Sequence, residues 1–127
     1  MPFVRVSVTQ DISDDHLQRI SDAIHTSMVD TFDVPEKDRF QVLLRHAPHE
    51  LICPPEYLGI THVGPMVLIQ ITCNEGRSLE MKKALYARLA SSIAAAGFVQ
   101  AADVIVNLVE VKKENWSFGN GVAQYAP

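Results

Sequence analysis

The chain has 127 residues, 47% of them hydrophobic, which is enough for one domain with a core of its own. Its net charge of −4, with no basic run, argues against a nucleic-acid partner, and no stretch approaches the roughly 18 apolar residues of a membrane span. Two cysteines, Cys53 and Cys73, suggest no disulfide framework, and no charged-then-apolar leader opens the chain, so the expectation is a soluble cytoplasmic protein with no membrane partner.

The run Pro2-Phe3-Val4-Arg5-Val6-Ser7-Val8-Thr9 alternates apolar and polar residues and is rich in valine, which predicts a half-buried strand. Proline lacks the N–H of a ladder residue but is tolerated as the first residue of a strand. The small ring of Pro2 behind Met1 predicts removal of the initiator methionine. The product carries a free secondary amine. A reference α-amino group titrates at roughly 7.7–8.0, so such an amine can be tuned as base, acid or nucleophile near neutrality. Taken alone, a Met-Pro start marks only a processed terminus; the rest of the chain gives it weight.

Asp11 to Ser13 form a turn, and Ser13 is a good N-cap followed by Asp14 and Asp15 at the positive end of a helix dipole. Leu17, Ile20, Ile24, Met28 and Phe32 fall on one helical face. The helix is expected to stop near Asp33, because Pro35 disfavours helical geometry at Val34. Residues 39–45 are a second strand. The Pro- and Gly-bearing segment from Ala47 to Gly64 reads as a surface loop of the length that often borders a functional site.

A strand from Pro65 through Cys73 follows, then a turn at Asn74-Glu75-Gly76, an N-cap at Ser78, a helical stripe of Leu85, Leu89 and Ile93, a helix stop at Gly97, and a last strand from Val104 to Val109 after Asp103. The two halves superpose without a gap at an offset of 65 residues: Val4 on Ile69, Val6 on Ile71, Ser13 on Ser78, Ile20 on Leu85, Ile24 on Leu89, Asp38 on Asp103. This predicts an α+β fold of two α/β-type repeats. One βαβ unit spans 1–46 and another 65–110, with 47–64 as connector and 111–127 as tail. The four strands form one sheet with both helices on one face. Two layers leave the other face uncovered, and that face is expected to be apolar and to drive oligomerisation.

Three features carry candidate chemistry. Arg77, between Gly76 and the N-cap Ser78, is placed to hold a carboxylate through its guanidinium and nearby backbone N–H groups, or is a surface arginine. Asp38 is a general base or water-positioning group, or an aspartate that caps the turn or pairs with Arg39; its counterpart Asp103 favours the structural role for both. Trp116 and Phe118, in the glycine-flanked tail, wall a pocket or lock a subunit interface. His16, His25, His46, His49 and His62 show no metal-ligand spacing, and Cys73 reads as core.

On Pro2, the βαβ repeat, Gly76-Arg77-Ser78 and Trp116-Ser117-Phe118-Gly119, the chain resembles the tautomerase superfamily, and most of all its malonate semialdehyde decarboxylase branch. The resemblance covers nearly the whole length. Its most specific pieces are Val34-Pro35-Glu36-Lys37-Asp38-Arg39-Phe40-Gln41, Asp103-Val104-Ile105-Val106 and Trp116-Ser117-Phe118-Gly119-Asn120-Gly121. It implies a homotrimer that uses no cofactor and no metal and acts on a small carboxylate substrate. Pro2 would be the central catalytic group, Asp38 the residue that orders or activates water, and Arg77 the carboxylate holder. Trp116, Phe118 and Tyr125 would line the pocket. The decarboxylase's second arginine, just upstream of the one matching Arg77, is absent here, where Asn74 and Glu75 stand; a later apolar tail residue is also missing. These departures count against malonate semialdehyde itself. Two enzymatic modes stay open: keto–enol tautomerisation by neutral Pro2, or decarboxylation or hydration with Asp38. The rival reading is a catalytically silent trimeric scaffold or ligand-binding module of the same fold.

Overall fold

The computed structural model of the chain describes residues 2–127; the removal of Met1 expected above lies outside the described residues. In chain order the elements are β1 (Phe3–Thr9), α1 (Asp14–Phe32), β2 (Gln41–His46), a hairpin of β3 (Glu56–Tyr57) and β4 (Ile60–Thr61), β5 (Val67–Asn74), α2 (Leu79–Ala96) and β6 (Val104–Val111). The main sheet runs β2-β1-β5-β6. Each outer pair is parallel and joined through its helix, while β1 and β5 meet antiparallel at the centre. The central register shows that the repeat is a two-fold. Val4 faces Ile71 and Val6 faces Ile69, and Arg5 faces Gln70, the residue 65 positions on. The pseudo-two-fold axis therefore passes between Arg5 and Gln70.

Alternation puts Val4, Val6 and Val8 of β1 and Val67, Ile69, Ile71 and Cys73 of β5 on the helix side, all buried. The stripes of α1 (Leu17, Ile20, Ile24, Met28, Phe32) and α2 (Leu85, Leu89, Ile93) close over them. Both predicted caps form: the Ser13 side chain accepts the His16 N–H and that of Ser78 accepts the Met81 N–H. The αL residue Asp33 ends α1, and Gly97, at φ 90°, ends α2.

The uncovered face is not simply apolar, which corrects the expectation. Val42, Leu44, Leu68 and Ile105 lie on it, but around a polar centre of Arg5, Ser7, Gln70 and Asn107. Gln70 Nε2 donates to Asn107 Oδ1 at 3.2 Å, and His46 Nε2 is hydrogen-bonded to Ser7 Oγ at 3.0 Å. The polar members of the alternating β1 run had to point somewhere, and they point here.

Two other elements differ from the sequence reading. β6 runs on to Val111, pairing with Asn74, and Glu110 within this extension accepts from Lys82 Nζ at 2.7 Å. The connector carries a short hairpin whose turn places Leu58 at φ 51° and Gly59 at φ 81°. A hairpin turn with positive φ at both central residues is of the type that Asn-Gly advertises, and Leu-Gly does not advertise it in the same way. The connector is tied to the sheet by Asp103, which is fully buried and accepts the Gly64 N–H at 3.1 Å. His62 Nδ1 lies 3.5 Å from its other oxygen.

Candidate active site

Pro2 is buried at the start of β1, where Val4 N–H donates to Phe40 O at 3.0 Å and so draws the chain before β2 alongside. β6 ends at this same end of the sheet, since Val111 pairs with Asn74 and Thr72 with Phe3, and the tail crosses from that edge strand to Pro2. Together Pro2, Phe3, Phe40, Trp116, Ser117 and Phe118 line a cleft of about 260 Å³. Three of these, Pro2, Trp116 and Phe118, are residues singled out from the sequence. Phe3 and Phe40 were not assigned to a pocket there. Alternation does put Phe3 on the open side of β1, but nothing local says that the tail comes back to it.

The walls are aromatic and packed. Trp116 stacks on Phe118 with ring centroids 5.3 Å apart and planes 13° from parallel. Phe40 lies 6.0 Å from Phe118 on another side. Tyr125 meets Phe118 edge-on at 5.4 Å, with Lys113 Nζ 6.0 Å from the Tyr125 ring, so Tyr125 buttresses Phe118 and does not itself line the cleft. The loop that presents Phe118 is clamped by Gln124, whose Oε1 accepts the Phe118 N–H at 2.9 Å and whose Nε2 donates to Gly119 O at 3.2 Å. The left-handed backbone of Asn120 and Gly121, at φ 57° and 66°, makes that short return.

Arg77 does not line the cleft. Its Nε donates to Phe32 O at 2.9 Å, its Nη1 to Asn74 O at 3.3 Å, and its Cζ lies 4.4 Å from the centroid of the Phe32 ring. The arginine thus joins the end of α1 to the end of β5, and its Nη2 has no hydrogen-bond partner among the described residues. Asn74, read from the sequence as a turn residue where the decarboxylase branch has an arginine, instead ends β5 and links this group to the aromatic wall: Trp116 Nε1 donates to its Oδ1 at 2.7 Å. An indole only donates, so a side-chain acceptor within reach is the signal that points to such a residue, and it is visible only in three dimensions.

Asp38 sits half-buried in the turn before β2, two residues from Phe40, with its N–H donating to Pro35 O at 2.9 Å. Its carboxylate has no side-chain partner among the described residues. Arg39 pairs with Asp22 at 2.6 Å and holds that carboxyl below its ordinary value. Asp38 and its repeat counterpart Asp103 are therefore in unlike surroundings, one with an open carboxylate and the other locked against Gly64. Burial pushes the Cys73 thiol up, which suits a core side chain and not a thiolate nucleophile. Among the described residues no group of three or more His, Cys, Asp or Glu side chains is arranged to hold a metal ion, and no helix is long and apolar enough to cross a membrane.

A family model described as tautomerase enzyme matches residues 38–119, and another so described matches residues 2–59. The chain is 39% identical over 124 residues to a Bacillus subtilis (strain 168) protein named probable tautomerase YusQ, covering 98% of each. Among solved structures, an FG41 malonate semialdehyde decarboxylase inhibited by 3-bromopropiolate superposes with a TM-score of 0.90 at 34% identity, over 97% of this chain and 93% of that one. A fused 4-OT protein, a symmetric trimer, superposes with a TM-score of 0.80 at 23% identity, over 98% of each chain.

Proposed function

The chain belongs to the tautomerase superfamily, and from that premise we propose that it is an isomerase whose N-terminal Pro2 moves a proton on a small 2-oxo acid. The observation that carries this reading is the burial of Pro2 in a cleft walled by Phe3, Phe40, Trp116 and Phe118. Once Met1 is removed, the Pro2 nitrogen is a secondary amine held by a ring that limits its motion. A reference α-amino group titrates at roughly 7.7–8.0, so a fraction of the amine is neutral near neutrality. It takes the proton from an enol oxygen or from the carbon beside a carbonyl and returns it at the other position, so the net reaction is a keto–enol shift with no change in atoms. Arg77, outside the cleft lining and across Asn74 from Trp116, holds the substrate carboxylate with its Nη2, which has no hydrogen-bond partner among the described residues, and the aromatic stack receives an apolar side chain. The working unit is a homotrimer: the sheet face opposite the helices is uncovered in the single chain, and the fused 4-OT neighbour with the same fold is a trimer.

A second mode, decarboxylation or hydration, is favoured by one specific observation, the half-buried Asp38, two residues before Phe40 of the cleft, whose carboxylate has no side-chain partner among the described residues. There Asp38 activates water, or keeps Pro2 protonated so that the ammonium polarises a carbonyl. The 34%-identical malonate semialdehyde decarboxylase makes this the mode to test against the first.

The test is the intact mass of the purified chain followed by labelling. The mass should lack one methionine. 3-Bromopropiolate, an electron-poor alkyne bearing a carboxylate, should add covalently to the peptide that begins with Pro2 and abolish turnover of phenylpyruvate enol. Pro2→Ala keeps an amine but loses the ring that aims it, and should lower that turnover by about 10²-fold, the scale of a positioned acid–base group. A retained Met1 overturns the mechanism in favour of the silent scaffold, and a Pro2→Ala variant as active as wild type overturns the role given to Pro2.

A further inference from the structure

The indole of Trp116 is the chain's sole tryptophan and a wall of the cleft. Stacking on Phe118 sets the tilt of its ring but leaves it free to slide and turn in its own plane. One contact removes that freedom: Nε1–H donates to Asn74 Oδ1 at 2.7 Å. Asn74 is itself immobilised. It is the last residue of β5 and pairs with Val111, and the next N–H, of Glu75, donates to Val111 O at 2.9 Å. Its carbonyl accepts from Arg77 Nη1 at 3.3 Å, and Arg77 is anchored in turn on Phe32 O at 2.9 Å. One residue thus touches the aromatic wall with its side chain and the guanidinium with its backbone.

We infer that Asn74 is a positioning residue that fixes the spacing between the Trp116 wall and the Arg77 carboxylate holder. Arg77 to Asn74 to Trp116 is a continuous hydrogen-bonded line from the end of α1 to the cleft. A substrate with a carboxylate at one end and an apolar group at the other spans that line. Cutting the Asn74–Trp116 bond loosens one end of the measure while leaving Pro2 and the guanidinium in place, so the loss falls on KM and not on kcat. The inference rests on the reading of the cleft as the reacting site.

Tryptophan emission tests the tether on the protein alone, because Trp116 is the only emitter of its kind. Asn74→Ala should shift the emission maximum and make Trp116 more open to acrylamide quenching. Asn74→Asp keeps an acceptor oxygen at the same point and should shield Trp116 from acrylamide as wild type does. In turnover of phenylpyruvate enol, Asn74→Ala should lower kcat/KM about 3- to 10-fold, the scale of one neutral hydrogen bond, through KM. In a Trp116→Phe background the same change should cost nothing further, because the bond is already gone. Unmoved emission in a folded Asn74→Ala protein, or costs that multiply in the double variant, overturns the tether and leaves the proposed function standing. Should the alanine variant not fold, an Asn74→Asp variant in which Trp116 is more open to acrylamide overturns it equally. A wild-type protein inert toward oxo-acid enols overturns the function, and a shifted emission in Asn74→Ala then still upholds the tether.

Discussion

Arg77 holds two carbonyls and one aromatic ring, and these contacts decide how its removal will read. Arg77→Ala should raise KM for a 2-oxo acid by the weight of a lost charge-assisted contact, on the order of 1.5–3 kcal/mol. It should also cost stability, about 1 kcal/mol, because the Phe32 and Asn74 carbonyls lose their donor. Steady-state kinetics and urea unfolding separate the two effects; an unchanged KM would make Arg77 a purely structural staple. Asp38 separates the two enzymatic modes. If Pro2 is a simple base, Asp38 is peripheral and Asp38→Asn should leave keto–enol turnover close to wild type at pH 7. If water must be activated or Pro2 kept protonated, the same change should reduce hydration or decarboxylation by roughly 10²-fold. Running both assays on one variant tells which mode operates.

At the level of elements, the repeat has diverged where the connector joins it. Asp103, at the start of β6, is fully buried and takes the Gly64 N–H, whereas Asp38, at the matching place before β2, has no such duty. Asp103→Ala leaves the Gly64 N–H and the His62 ring without that carboxylate and should destabilise the fold by about 1–3 kcal/mol, the cost of an orphaned part-buried donor. Asp38→Ala should change stability by less than about 0.5 kcal/mol, as for a substitution away from any packed or bonded feature. Thermal or urea unfolding of the two variants side by side checks the contrast, and equal losses would refute it. Gly64 is bound into the same contact, since a Cβ there would meet Asp103 Oδ2 at 3.0 Å.

For the molecule as a whole the deciding feature is the sheet face away from the helices. It mixes Val42, Leu44, Leu68 and Ile105 with a polar centre on the pseudo-two-fold axis, and Ile105 and Val109 are each 37% exposed in the single chain. Such a face suits an interface with satisfied polar groups better than a solvated surface. Light scattering should give about three times the 14.1 kDa chain mass at micromolar concentration. A monomer under those conditions would remove the trimer from the proposal and leave the fold untouched.

Much of this architecture is legible from spacing alone. The two-residue alternation of Val4, Val6 and Val8, the helical stripes beginning at Leu17 and Leu85, the caps Ser13 and Ser78 and the 65-residue offset all report which side of a local element is buried, and local periodicity encodes that directly. Pro2, Trp116 and Phe118 are singled out in the sequence through resemblance to a family and not through any period, and in the structure they line one cleft. What lies beyond local spacing depends on how far a side chain reaches across the register. Phe3 and Phe40 become walls only because the tail folds back over the start of β1. Asn74 becomes a tether only because the Trp116 indole comes to rest 2.7 Å from its amide oxygen. Arg77 spends two donors on carbonyls that a crossover helix and a strand end bring to it. Asp38 and Asp103 are alike in sequence position and unlike in role, because only one of them has the connector's N–H packed against it. Repeats set where residues stand in the sheet, and packing between distant segments sets what each one touches.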